Sequence, residues 1–297
     1  MNRVLKWVGG VLGALVVIAL VAGAALYFIG VSKFRGPADL PAESIAITPD
    51  SATLAWGEHL VNTHGCRGCH LENMQGGVLV DAPPFRVVAS NLTSGLGGVG
   101  ARLDALGWER AIRHGVGIDG RGLFIMPSEF YNGLSDQDVA AMVAFIQNAP
   151  PVDNELPPTR LKPLGGVLAG TGAFGPSSGM IDHQSPHRPM TPPVASATLE
   201  YGRYRGGILC VVCHGANLKG APSPDPQGLP APSLEPSGHW TLEQFRTALR
   251  TGVTPAERQL DAQAMPWNML GTMTDAEIAA IHLYVQEVTG ARAASPQ

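Results

Sequence analysis

The sequence predicts a mainly α-helical protein, with one N-terminal transmembrane helix followed by two tandem copies of a small helical domain. Three observations carry this expectation. An apolar run from about Trp7 to Val31 follows Arg3 and Lys6 and is long enough to cross a bilayer as a helix. The pentad Cys66-Arg67-Gly68-Cys69-His70 returns as Cys210-Val211-Val212-Cys213-His214, and the two pentads contain every cysteine of the 297-residue chain. The residues around the first pentad also return, in order, around the second.

Residues 1–36 read as the membrane anchor. A cleavable signal peptide is the alternative, because Ala22-Gly23-Ala24 resembles a small-residue cleavage site. The apolar run continues through Ala25-Leu26-Tyr27-Phe28-Ile29, longer than a usual signal core, so an uncleaved helix is expected. Flanking charge does not orient it, since Lys33 and Arg35 balance Arg3 and Lys6. Residues 37–50 read as a Pro-containing tether.

Residues 51–150 read as the first unit. Ser51 is placed to cap a helix that carries Leu54, Trp56, Leu60 and Val61 toward the first pentad. A short helix fits 104–114. A last helix follows Leu134, where Ser135-Asp136-Gln137-Asp138 resembles a capping box and Val139, Met142, Val143 and Ile146 keep helical spacing. Residues 151–195 read as a Pro/Gly-rich linker. It contains His183 and His187, which read as packed or solvated histidines.

The second unit, 196–290, repeats the first. Trp56-Gly57 matches Tyr201-Gly202, and Ala111-Ile112-Arg113-His114-Gly115-Val116 matches Ala248-Leu249-Arg250-Thr251-Gly252-Val253. Met126-Pro127 matches Met265-Pro266, Leu134-Ser135-Asp136 matches Met273-Thr274-Asp275, and Phe145 matches Tyr284. Thr274 and Glu277 form a true capping-box pattern.

Composition narrows the function. The net charge is −4 with histidines neutral and there is no basic cluster, which excludes nucleic-acid binding. C-x-x-C-H is the attachment signal for a c-type haem: two thiols form thioethers and the histidine binds iron. A dithiol redox pair would leave both histidines unexplained, and a four-cysteine zinc site has its pairs far closer in sequence than these. Two haems attached through Cys66, Cys69, Cys210 and Cys213 leave no cysteine for a disulfide, a cluster or a thiolate nucleophile. Because c-type haem is attached outside the cytoplasm, the N-terminus is expected in the cytoplasm and both units in the periplasm, at the inner membrane.

His70 and His214 are the expected proximal ligands. For the sixth position, Met126 and Met265 each precede a proline and lie nine residues ahead of a helix cap, Ser135 or Thr274. Met74 is too near His70 in sequence, Met142 belongs to an apolar stripe, and Met269 and Met273 are the other choices in the second unit. His114 is the rival ligand in the first unit, but its repeat partner is Thr251. No role is assigned to His59, His64, His239 or His282. Carbonyls near Pro83-Pro84 and Pro230-Pro232 are candidate acceptors for the ligand histidines. Asn91, Thr93, Arg113 and Arg250 are candidate partners for haem propionates.

The motifs Gly57-Glu58-His59-Leu60-Val61, Ser90-Asn91-Leu92-Thr93, Arg113-His114-Gly115-Val116-Gly117 and Phe124-Ile125-Met126-Pro127-Ser128, with the first pentad, resemble the class I cytochrome c superfamily. In particular they resemble the cytochrome subunits of bacterial membrane-bound alcohol, gluconate and aldehyde dehydrogenases. Those subunits usually carry three haems and often a C-terminal anchor, whereas this chain has two pentads and an N-terminal apolar run. The resemblance implies a mainly α fold of two tandem class I cytochrome c domains. It implies a membrane-tethered electron carrier with two covalently bound haem c groups. Its partners would be redox proteins of a dehydrogenase or oxidase complex in the respiratory chain, with no small-molecule substrate. The alternative is a dihaem enzyme such as a peroxidase, which needs an iron with an open position. A sensory haem module would bind gas instead.

Overall fold

The computed structural model describes residues 2–37, 39–41, 45–184, 189–222 and 229–291. Helix α1 (Asn2–Lys33) is the one helix among the described residues long and apolar enough to cross a membrane, with mean hydropathy 2.6 over its most apolar 18-residue stretch. Its apolar side chains are exposed along most of its length.

The first unit follows. Its helices are α2 (Ser51–Thr63), α3 (Cys66–His70), α4 (Ala105–His114), α5 (Ser128–Tyr131) and α6 (Asp136–Asn148). Asp50, not Ser51, caps α2, because its carboxylate accepts the Thr53 N–H. A hairpin that the helical pattern does not signal, β1 (Gly77–Asp81) and β2 (Phe85–Ala89), lies between α3 and α4.

The stretch expected as a linker is partly built into this unit. Strand β3 (Arg160–Leu161) pairs antiparallel with β2, and α7 (Pro163–Gly170) packs on the C-terminal end of α1. Pro189 and Met190 offer carbonyls to the free N–H groups of Asp136 and Gln137 at the start of α6. The tether also docks, since Ile45 is buried in the first core. Proline and glycine break helical periodicity without stopping apolar residues from packing.

The second unit holds α8 (Leu199–Leu209), α9 (Val211–His214), α10 (Glu235–Gly238), α11 (Leu242–Thr251), α12 (Trp267–Leu270) and α13 (Asp275–Val288). Five elements correspond in order: α2 to α8, α3 to α9, α4 to α11, α5 to α12 and α6 to α13. The first and last helices of each unit cross at a glycine. A Cβ on Gly57 would lie 2.0 Å from the Ala141 carbonyl oxygen, and one on Gly202 would lie 1.9 Å from that of Ala280. These close approaches account for the glycine of the repeated aromatic-Gly pair. A second repeated pair ties the middle helix to the last. Arg113 bonds the Leu134 carbonyl and Asp136, and Arg250 bonds the Gly271 carbonyl and Asp275.

Candidate functional site

The two pentads sit on short helical turns that bring Cys66, Cys69 and His70, and likewise Cys210, Cys213 and His214, onto neighbouring positions. The loop after each pentad has the same backbone. Leu71, Met74 and Gly76 have positive φ, as do Gly215, Leu218 and Gly220 in the same order and spacing. Gly76 N–H donates to the His70 carbonyl, and Gly220 N–H to that of His214. Leu92 N–H donates to the Met74 carbonyl, and Leu234 N–H to that of Leu218. Met74 and Leu218 are both fully buried, so the loop turns on one apolar plug.

This loop serves the histidine. His70 Nδ1 lies 2.8 Å from the Ser90 carbonyl, and His214 Nδ1 lies 2.8 Å from the Pro232 carbonyl. The second acceptor lies in the expected segment, whereas the first is Ser90 rather than Pro83 or Pro84. With Nδ1 donating, Nε2 carries the lone pair, and it has no hydrogen-bond partner among the described residues. Burial lowers the pKa of both rings against the opposing pull of the carbonyl, so neutral imidazole is favoured. Metal ligation requires that form. Burial pushes the Cys66 and Cys210 thiols up to about 12 and raises Cys69 and Cys213 as well. They are poor thiolates, unlike the low-pKa cysteines of dithiol redox enzymes.

Met126 and Met265 occupy matching loops. Each precedes a proline that opens a one-turn helix with nearly the same dihedral angles, φ −80° and ψ 52° at Pro127, φ −75° and ψ 59° at Pro266. Both are half-buried. Met126 and Cys66 border one apolar cluster, and Met265 and Cys210 border the other. Met74, Met142 and Met273 are fully buried in the cores.

Several candidates are occupied elsewhere. His114 is fully buried, with Nε2 3.3 Å from Glu109 and Nδ1 2.7 Å from His183 Nδ1. His187 lies outside the described residues. Asn91 and Thr93 bond each other and the Val152 carbonyl, tying the 90s loop to the segment after α6. Arg113 and Arg250 are held by carbonyls and aspartates, and Arg113 Nε and Nη1 have no hydrogen-bond partner among the described residues.

Sequence reasoning missed the contact between the units. His59 Nε2 lies 2.8 Å from Glu277, and the Tyr204 hydroxyl donates to Asp138 at 2.6 Å. Arg205, fully buried, bonds Glu277 in its own unit and reaches Thr63 across the boundary. A Cβ on Gly65 would touch Met269 Sδ at 3.0 Å, so the approach to the first pentad lies against α12. Reciprocally, Ile208, two residues before Cys210, is buried in the first core.

The cytochrome c family model matches residues 209–289. The second unit is a cytochrome c domain. The match covers the second pentad, its loop, Met265 and α13. Two relatives share most of the chain at lower similarity. The fructose dehydrogenase cytochrome subunit of Gluconobacter japonicus is 26% identical over 278 residues, 81% of this chain and 54% of that protein. A subunit of the nicotinate dehydrogenase of Pseudomonas putida is 26% identical over 286 residues, 84% of this chain and 23% of that protein. The chain therefore spans about half the length of the first and a quarter of the second.

A cytochrome c domain carries haem c covalently, and the residues present fit that group. The four thiols are free, and the ligand histidines keep Nε2 open. In the first unit the Trp108 indole N–H, 2% exposed, has no acceptor among the described residues. A buried donor without a partner fits a site completed by an acidic group such as a propionate.

Proposed function

We propose that the chain is a membrane-tethered dihaem cytochrome c. It relays electrons between a periplasmic or membrane donor and a respiratory-chain acceptor, and it is an electron carrier rather than an enzyme. The observation that carries this reading is the doubled loop: each pentad leads into the same three positive-φ positions and the same histidine-to-carbonyl bond. Cys66, Cys69, Cys210 and Cys213 hold two haems through thioethers. His70 and His214 would ligate the iron, with Met126 and Met265 as its second ligands. With histidine and methionine as ligands the haem would supply reversible one-electron chemistry at a raised potential. The chain's own residues fix the histidine tautomer through Ser90 and Pro232. Helix α1 anchors the protein in the inner membrane, N-terminus in the cytoplasm and both units in the periplasm. The two dehydrogenase relatives support a dehydrogenase as donor.

Haem staining with intact mass is expected to give two haems per chain, and the oxidised protein is expected to show the far-red methionine–iron band. Met126→Ala and Met265→Ala should each remove about half of that band, and the double variant all of it. A high-spin haem that turns over peroxide in the intact protein would overturn the carrier reading. So would carbon monoxide binding to the reduced wild type.

A further inference from the structure

Helix α7 lies where composition suggests a linker, yet it packs on α1 within the apolar span. A Cβ on Gly30 would lie 1.9 Å from the Gly166 carbonyl oxygen, one on Gly166 2.2 Å from the Tyr27 ring, and one on Gly170 2.1 Å from the Leu26 carbonyl oxygen. The crossing therefore falls at Leu26, Tyr27 and Gly30. Lys33, the first charged residue after the span, lies three to seven positions further on. At about 1.5 Å per residue the crossing sits roughly 5–10 Å below the level of Lys33. Interfacial helices bury their apolar faces to about that depth, roughly 5–10 Å.

The local chemistry agrees. Pro163–Ile181 contains no charged residue. Leu164 is 51% exposed and Met180 65%. The flanking cations are paired within the protein: Lys162 Nζ reaches Asp81 at 2.6 Å and the Ala82 carbonyl at 2.7 Å, and Lys33 Nζ reaches the Ala169 carbonyl of α7 at 2.8 Å.

We propose that α7 lies in the leaflet facing the folded units and takes lipid acyl chains on its open face. The proposal rests on reading α1 as a membrane anchor. It seats the first unit on the bilayer. The β1–β2 turn rests on α7, since a Cβ on Gly165 would lie 1.9 Å from the Pro84 carbonyl oxygen. Phe124, two residues before Met126, stacks at 5.3 Å on Phe34 at the end of α1. Phe85 and Phe174 close the same cluster. The first haem site is the membrane-proximal one.

All four native cysteines are committed to haem, so an introduced cysteine is the single free thiol. Nitroxide would be placed at Leu164→Cys, at Leu15→Cys within α1 and at Thr247→Cys on exposed α11, in full-length haem-loaded protein. The protein would be reconstituted in phosphatidylethanolamine/phosphatidylglycerol vesicles, and relaxation by oxygen compared with relaxation by a water-soluble nickel chelate. The expected result is a several-fold oxygen preference at Leu164 and Leu15 and the reverse at Thr247. A nickel preference at Leu164 with an oxygen preference at Leu15 overturns the proposal and leaves the anchor standing. Shielding of Leu164 from both reagents overturns it by showing a protein cover. A nickel preference at both sites overturns the anchor reading and this proposal together.

Discussion

His59 and Tyr204 hold the same position in α2 and α8, and each reaches across to the carboxylate at the third position of the other unit's last helix, Glu277 or Asp138. Their neighbours one turn earlier, Trp56 and Tyr201, hold the same carboxylates from within the unit. The exchange is reciprocal, like an isologous contact between copies. Burial raises the Glu277 pKa, but the His59 hydrogen bond, the Arg205 and His59 charges and the Thr274 N–H outweigh it and hold it at about 2, against 4.5 for the free group. That difference corresponds to roughly 3 kcal/mol of stability. It is present above pH 4.5 and is lost as pH falls toward 2. Glu277→Gln should be less stable near neutrality and should lose the acid sensitivity in that window, read as urea midpoints at stepped pH. Equal slopes in variant and wild type would refute this assignment.

At the scale of elements, the first and last helices of each unit can cross closely only because Gly57 and Gly202 have no side chain. Gly57→Ala and Gly202→Ala should each destabilise by about 1–3 kcal/mol or more, because the obstacle is backbone and cannot rotate away. Gly207 of α8 meets nothing within 4 Å, so Gly207→Ala should be neutral or stabilising by up to about 1 kcal/mol. Thermal unfolding of the three variants separates close approach from helix propensity. The caps at Ser135 and Thr274 were legible in the sequence because capping is a local bond over three residues. The hairpin and α7 were not: β1 is mostly exposed and shows no alternation, and α7 is only eight residues long with three glycines, so neither carries a period that sequence can display.

Across the whole molecule, the units are joined by a small, buried polar contact centred on Arg205. Its guanidinium serves Glu277 and Thr63, and its neighbour His64 is driven down to about 3, first by burial and then by the Arg205 charge, so it stays neutral. Arg205→Met leaves Glu277 buried with fewer partners, which costs about 3–5 kcal/mol when a buried pair is broken. The expected outcome is wider separation of two still-folded units by small-angle scattering. Unchanged separation would show that apolar contacts, such as Ile208 in the first core, suffice.

By itself the sequence determined the candidate chemistry. Four cysteines in two C-x-x-C-H pentads, an apolar N-terminal run and a repeated Met-Pro before a repeated cap are patterns of spacing along the chain, and spacing is what a sequence displays. Only the tertiary structure decided which carbonyls hold His70 and His214, that His114 is occupied by Glu109 and His183, and that His59 belongs to the boundary between units. It also decided that a proline-rich connection contains a helix packed on the apolar N-terminal helix α1. Each of these depends on groups far apart in sequence being brought together by glycine crossings and apolar packing, and no local period records such meetings.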